Sequence, residues 1–310
     1  MTNVLTITNL NKKYHQQQAL KNINLSIPKG EILGLIGRNG AGKTTLLKSI
    51  TQLINITSGS ISLFDSTTNK EWTKNLKRTG SVIETPVAHD NLTAEQNLAY
   101  YCKLRGIKNQ EAIIKETLQF VDLEKTAHKK FKQFSLGMKQ KLGIAIAILS
   151  RPDFLILDEP INGLDPIAII DFRKMILRLN EEMGMPIIIS SHILSELYHV
   201  ATSIAILDKG ELIKQFTKTE FEQMNRDYIV LETSDTAKAA LLLTEEFQFK
   251  LKVIDEQTLH IYGTSTLIRE ISVLLVNHLI PIDGIHFKKS DLENYYTHLL
   301  FEQQEEQSSC

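Results

Sequence analysis

The stretch GLIGRNGAGKTTLL, residues 34–47, restricts what this chain can fold into more than any other segment. Its glycines alone would suit any tight turn, because glycine tolerates backbone angles that other residues resist. The spacing is more specific. Gly37, Gly42, Lys43 and Thr44 fall as G-x-x-x-x-G-K-[ST], with an apolar run before them and a helix-compatible segment, residues 44–50, after them. Strand, glycine loop and helix N-terminus in that order predict a phosphate cradle. Gly37, Arg38, Asn39, Gly40, Ala41, Gly42, Lys43, Thr44 and Thr45 can turn backbone N–H groups toward phosphate oxygens, and the helix adds its partial positive charge. Lys43 is then placed to reach the β and γ phosphates, and the Thr44 hydroxyl to ligate Mg2+.

A phosphate loop that hydrolyses its ligand also needs a carboxylate for the metal and a base for water. The segment FLILDEP supplies both, with Asp158 ending an apolar strand and Glu159 beside it. A solvated acidic strand end is the alternative, disfavoured by the cradle upstream.

The rest of the chain sets bounds. With 310 residues there is room for two or three domains. Lysine plus arginine number 35 against 36 acidic residues, so no bulk charge pulls the chain toward nucleic acid, and no nucleic-acid partner is expected. Cys102 and Cys310 are too few and too far apart in sequence for a disulfide framework, which fits a reducing cytoplasm. The N-terminal residues alternate like a strand rather than a signal peptide. The longest apolar run, LGIAIAIL at 142–149, is far shorter than the ~20 residues of a membrane helix.

Along the chain, short strands within residues 4–36 feed the loop, and helices follow from about 88 to 150, where Thr93 and Gln96 form a capping-box pattern. Ile113, Ile114 and Leu118 read as core, and Lys129, Lys130, Lys132, Lys139 and Lys141 as a solvated helix face. Asp165 and Pro166 open a helix that Gly184 closes, and PIIISSH and SIAILDKGELIKQ read as buried strands. The expected class is α/β, with residues 1–216 as the main domain. The pattern restarts at 217–300 as β-α-β-β-α-β, an accessory α+β domain of ferredoxin-like order, and 301–310 form a polar tail.

Together with the loop and the acidic pair, FSLGMKQKLGIAIAIL (134–149), INGLDP (161–166) and His192 resemble the ATP-binding cassette of ABC transporters, in the same order over residues 4 to about 215. The resemblance implies a RecA-like core with a β subdomain and an inserted helical subdomain, two ATP molecules with Mg2+ sandwiched between two cassettes, and hydrolysis. It assigns Glu159 and His192 to catalysis and Asp158 and Thr44 to the metal. Ser135 and Gly137 then open a helix aimed at the partner's γ-phosphate, and Asp165 crosses the dimer interface. Tyr14 lies where the family stacks an aromatic on adenine, simple packing being the alternative.

Two departures stand out. Leu136 and Met138 replace a glycine and a glutamine of the family's common L-S-G-G-Q signature, while Ser135 and Gly137 remain. Glu84 stands where most cassettes carry a glutamine, as a further metal oxygen or a hinge that reports ATP occupancy. The Ile-Glu-Thr-Pro segment, SLGMKQKLGIA and the long C-terminal extension resemble bacitracin-resistance and lantibiotic-immunity exporters. That implies a second cassette, identical or related, and a separate integral membrane permease at the cytoplasmic face of a bacterial plasma membrane. The alternatives are a soluble cassette protein acting on a macromolecule, which lacks the usual second cassette or coiled-coil insertion here, and a small-molecule kinase, in which residues 134–149 have no role.

Overall fold

The computed structural model describes residues 2–300 apart from 68, 225, 226, 248, 289–291, 294 and 298; the tail expected at 301–310 and Cys310 lie outside the described residues. The chain divides into two compact units, Met1–Lys218 and Thr219–Cys310.

The first unit opens with β1 (Asn3–Tyr14) and β2 (Gln17–Pro28), an antiparallel pair longer than the alternation predicts. Asn9 and Asn22, both at positive φ, mark bulges that let the ladder bend and continue. Then come β3 (Ile32–Ile36), the loop, α1 (Lys43–Ile50) and β4 (Ser58–Leu63), which pairs with β1. The helix α2 (Asn69–Lys77), which sequence reasoning misses, leads to β5 (Thr79–Val82).

The helical block holds α3 (Ala94–Arg105), α4 (Gln110–Phe120) and α5 (Leu136–Ile148). Thr93 and Gln96 make both bonds of the capping box that starts α3, worth about 1 kcal/mol. Ile114 and Leu118 are buried in α4. Lys141 departs from the solvated reading. Its side chain is 16% exposed, with Nζ 3.8 Å from Asp122 Oδ2 and 3.6 Å from Asp171 Oδ2.

The core sheet is completed by β6 (Phe154–Asp158), α6 (Pro166–Met183), β7 (Ile187–Ser191), α7 (Leu194–Tyr198), β8 (Ser203–Asp208) and β9 (Glu211–Thr217), in the order β5-β6-β7-β3-β8-β9. Every residue of β3, β6 and β7 is buried, which is why these parallel strands read as continuous apolar runs. SIAILDKGELIKQ is not one buried strand. Lys209 and Gly210 both take positive φ, so the chain reverses and β9 returns antiparallel to β8 with a half-exposed pattern.

After α8 (Lys218–Met224), the second unit runs β10 (Tyr228–Glu232), α9 (Thr236–Phe247), β11 (Leu251–Val253), β12 (Thr258–Tyr262), α10 (Leu267–Asn277) and β13 (Gly284–Lys288). Its antiparallel sheet is ordered β11-β12-β10-β13. Ile229, Leu231, Leu259 and Ile261 pack with Ala239 and Leu243 of α9 and Ile271 and Leu275 of α10 in a core of their own.

Candidate nucleotide-binding and hydrolysis site

Three neighbouring parallel strands deliver the site at their C-terminal ends, where ligands of such sheets bind. β3 runs into the phosphate loop, β6 ends at Asp158 and β7 at Ser191. The register pairs Asp158 with Ser190 and Ile36 with Ser191, so the loop, the acidic pair and His192 emerge at one edge.

The loop is shaped by close approach. A Cβ on Gly37 would lie 2.4 Å from the Leu207 carbonyl oxygen, and Gly42, at φ +110°, precedes α1 in a conformation that other residues avoid. Lys43 folds inward with its side chain 6% exposed. Its Nζ donates to the Gly37 and Arg38 carbonyls at 2.7 and 3.3 Å and lies 3.1 Å from Glu159 Oε1.

Asp158 is 2% exposed, yet both its oxygens have partners. Oδ2 accepts from the Thr44 hydroxyl at 2.8 Å and Oδ1 from the Ser190 hydroxyl at 2.6 Å. Thr44 and Asp158 thus form a pair of hard oxygen donors that suits Mg2+. Among the described residues no cluster of three or more His, Cys, Asp or Glu could hold a metal, so phosphate oxygens and water would complete such a shell.

Ser190 also accepts from the Glu159 backbone N–H at 2.9 Å, fixing the turn in which Glu159 sits at φ +46°. Sequence reasoning overlooks this serine; the available signal is a hydroxyl near the end of an apolar strand, two residues before His192. The second oxygen of Glu159, Oε2, accepts from His192 Nδ1–H at 2.8 Å, which leaves Nε2 for another partner. A carboxylate gripped between an ammonium and an imidazole can take a proton from water once the ammonium is drawn elsewhere.

Tyr14 lines the same cleft of about 620 Å³ as Lys43, Thr44 and Glu159. The residue is 42% exposed, and its ring carries the Lys12 ammonium 4.6 Å from its centroid. Ser135, Gly137 and Asp165 line a different cleft. Ser135 caps α5 by accepting from Met138 N–H, and Asp165 caps α6 by accepting from Ala168 N–H. A Cβ on Gly137 would sit 3.2 Å from Ala168 Cβ, so the two helix starts abut. Leu136 is exposed beside them. Glu84, at φ +63°, pairs its carboxylate with Lys48 Nζ at 2.5 Å on α1, with its side chain 61% exposed. Its recorded partner is thus a lysine of the loop helix rather than Thr44 or Asp158.

A family model described as ABC transporter matches residues 20–162. The bacitracin transport ATP-binding protein BcrA of Enterococcus faecalis is 39% identical over 300 residues, covering 97% of each chain. The lantibiotic transport ATP-binding protein SrtF of Streptococcus pyogenes is 43% identical over 233 residues, 74% of this chain and 99% of its own. Among solved structures, a dimeric ATP-binding cassette in a post-hydrolysis state with ADP and Pi superposes with a TM-score of 0.62 at 26% identity, covering 69% of this chain and 98% of that one.

Proposed function

The chain belongs to the ABC transporter family as an ATP-binding, ATP-hydrolysing subunit, and from that premise we propose that it powers export of antimicrobial or other amphipathic peptides through a separate membrane permease. The observation that carries the peptide assignment is similarity to a bacitracin transport protein along 97% of both chains, C-terminal unit included. No helix among the described residues is long and apolar enough to cross a membrane, which suits a subunit that works from the cytoplasmic face on a permease.

In this reading Thr44 and Asp158 hold Mg2+, whose charge would offset that developing on the phosphates during transfer. The loop amides and Lys43 bind the phosphates, Tyr14 meets the adenine, and Glu159 serves as base for water. His192 holds Glu159 through Nδ1 and offers Nε2 to the γ-phosphate. Because Ser135 and Gly137 lie in a cleft apart from their own chain's loop, they act on ATP bound by a second cassette, identical or related, with Leu136, Met138 and Asp165 at that interface. The helical block docks the permease, and Glu84 reports occupancy of the site to it. Residues 217–300 form an accessory domain of ferredoxin-like topology that supports or regulates the dimer.

Growth of a host lacking this gene, with and without its permease, in bacitracin or a lantibiotic tests the reading. Wild-type chain is expected to restore resistance and Glu159→Gln is not. Unchanged sensitivity to both peptide classes, with no peptide-stimulated ATPase in reconstituted permease, would overturn peptide export while leaving the ATPase intact.

A further inference from the structure

The sheet of the second unit buries one face and presents a different chemistry on the other. Ile229, Leu231, Leu259 and Ile261 point into the core beneath α9 and α10. Strand alternation turns Tyr228, Val230, His260, Tyr262, Lys252, His286 and Lys288 the other way. The register sets them in two rows. Tyr228 lies between Tyr262 and Lys288, and Val230 between His260 and His286, with Lys252 opposite His260.

The rings on this face are mutually arranged. Tyr228 stacks on His260 with centroids 4.1 Å apart and planes 27° off parallel, and Tyr262 meets Tyr228 edge-on at 6.2 Å. Lys252, His286 and Lys288 are exposed, and neither lysine is ion-paired among the described residues. Glu232 is the one acidic side chain within these strands, at the far rim beside Gly284, and Asp255 in the β11–β12 connection is near enough to act on His260. Burial, then Lys288 and Lys252, push the His260 pKa down against a smaller opposing pull from Asp255, so near neutral pH this imidazole is an uncharged planar ring.

We propose that this face is a second nucleotide site, in which Tyr228, His260 and Tyr262 receive a planar base and Lys252 and Lys288 its phosphates. Aromatic rings on a four-stranded sheet with flanking lysines match both halves of such a ligand, since a base offers a π-face whatever its identity and a phosphate seeks fixed cations. A bare anion would leave the rings without a role, and an apolar ligand would leave the lysines without one. The site is independent of the loop around Lys43, with its own unit and its own core. Free mononucleotides and single-stranded nucleic acid share this chemistry. The balanced net charge of the whole chain favours the free nucleotide.

Photolabelling of the full chain with an azido-adenine mononucleotide, and separately with a six-nucleotide single strand carrying 4-thiouridine, locates the site by mass spectrometry. Label is expected in peptides from residues 228–288 in the wild type and in Lys43→Ala. In the double variant Lys252→Glu/Lys288→Glu, which changes only exposed side chains, that label falls about tenfold or more while label near Tyr14, where the cassette site takes its adenine in the proposed reading, persists. Competition by unlabelled AMP assigns the site to free nucleotide. Labelling by the strand alone, resistant to AMP, supports the same face with a strand as ligand. Absence of label in residues 228–288, or label indifferent to the charge reversal, overturns the proposal without bearing on the transport reading.

Discussion

Lys43 and Glu159 face each other across the site, with the ammonium 3.1 Å from Oε1 while the other carboxylate oxygen, Oε2, holds His192. On the proposed reading a bound γ-phosphate would compete for that ammonium and an attacking water for that carboxylate. Arrival of phosphate would then draw Lys43 away from Glu159 and free the base in the same movement, tying competence for hydrolysis to occupancy of the loop.

Glu159→Gln removes the carboxylate proposed to accept the proton while keeping its size, and its single amide oxygen can still accept from either Lys43 or His192. ATP hydrolysis is expected to fall by about 10²–10⁴-fold with nucleotide affinity retained, and ATP to trap a dimer visible by gel filtration. Phosphate release at the wild-type rate would exclude Glu159 as the base.

Lys43→Ala deletes a cation already oriented by two carbonyls. Loss of a charge-assisted contact predicts nucleotide binding weaker by about tenfold or more in an equilibrium titration. Wild-type affinity would count against the cradle.

Gly37→Ala places a methyl group 2.4 Å from backbone rather than against a side chain that could yield. Destabilisation of about 1–3 kcal/mol is expected, read as a lower denaturant midpoint together with weaker nucleotide binding. A variant as stable as wild type would mean that the loop moves away from Leu207 at little cost.

Lys48 and Glu84 join α1 to the segment entering the helical block. Glu84→Gln keeps a hydrogen-bonding oxygen but drops the charge, and Glu84→Ala drops both. Permease-stimulated ATPase in proteoliposomes is expected to fall in that order, and more than the basal rate. Full stimulation in both variants would remove Glu84 from the coupling.

His260 gives a pH signature. Its pKa in the folded chain lies below the usual 6.5, by burial first and then by Lys288 and Lys252. The unfolded chain binds the proton more readily, so the stability linked to this neutral ring is present above about pH 6.5 and lost as pH falls through the folded value. In an NMR titration, Lys252→Ala should move the His260 midpoint upward; an unmoved midpoint would show that Lys252 is too well screened to matter.

What the sequence makes legible is what local chemistry dictates. The loop spacing, the apolar strands β3, β6 and β7, the Thr93–Gln96 box and the Asp165–Gly184 bounds of α6 each depend on residues within a few positions of one another. The unread parts depend on partners far along the chain. Lys141 passes for a surface lysine until the fold brings Asp122 and Asp171 to it, and Ser190 matters only because parallel register sets it beside Asp158. Glu84 stands out in the sequence by position, but its lysine partner, 36 residues back, is not legible there.

The glycine at position 143 sits inside α5, where exchange for alanine ordinarily strengthens a helix by about 0.8–1.0 kcal/mol. Here a Cβ would fall 2.7 Å from Pro86 Cβ, on a rigid ring just two residues beyond Glu84. A stabilisation campaign guided by helix propensity would choose this substitution and wedge apart the start of the helical block and the signature helix. The bare backbone at 143 thus acts as a bearing surface: its smoothness, rather than any bond it makes, lets the segment carrying Glu84 lie against the helix that Ser135 begins.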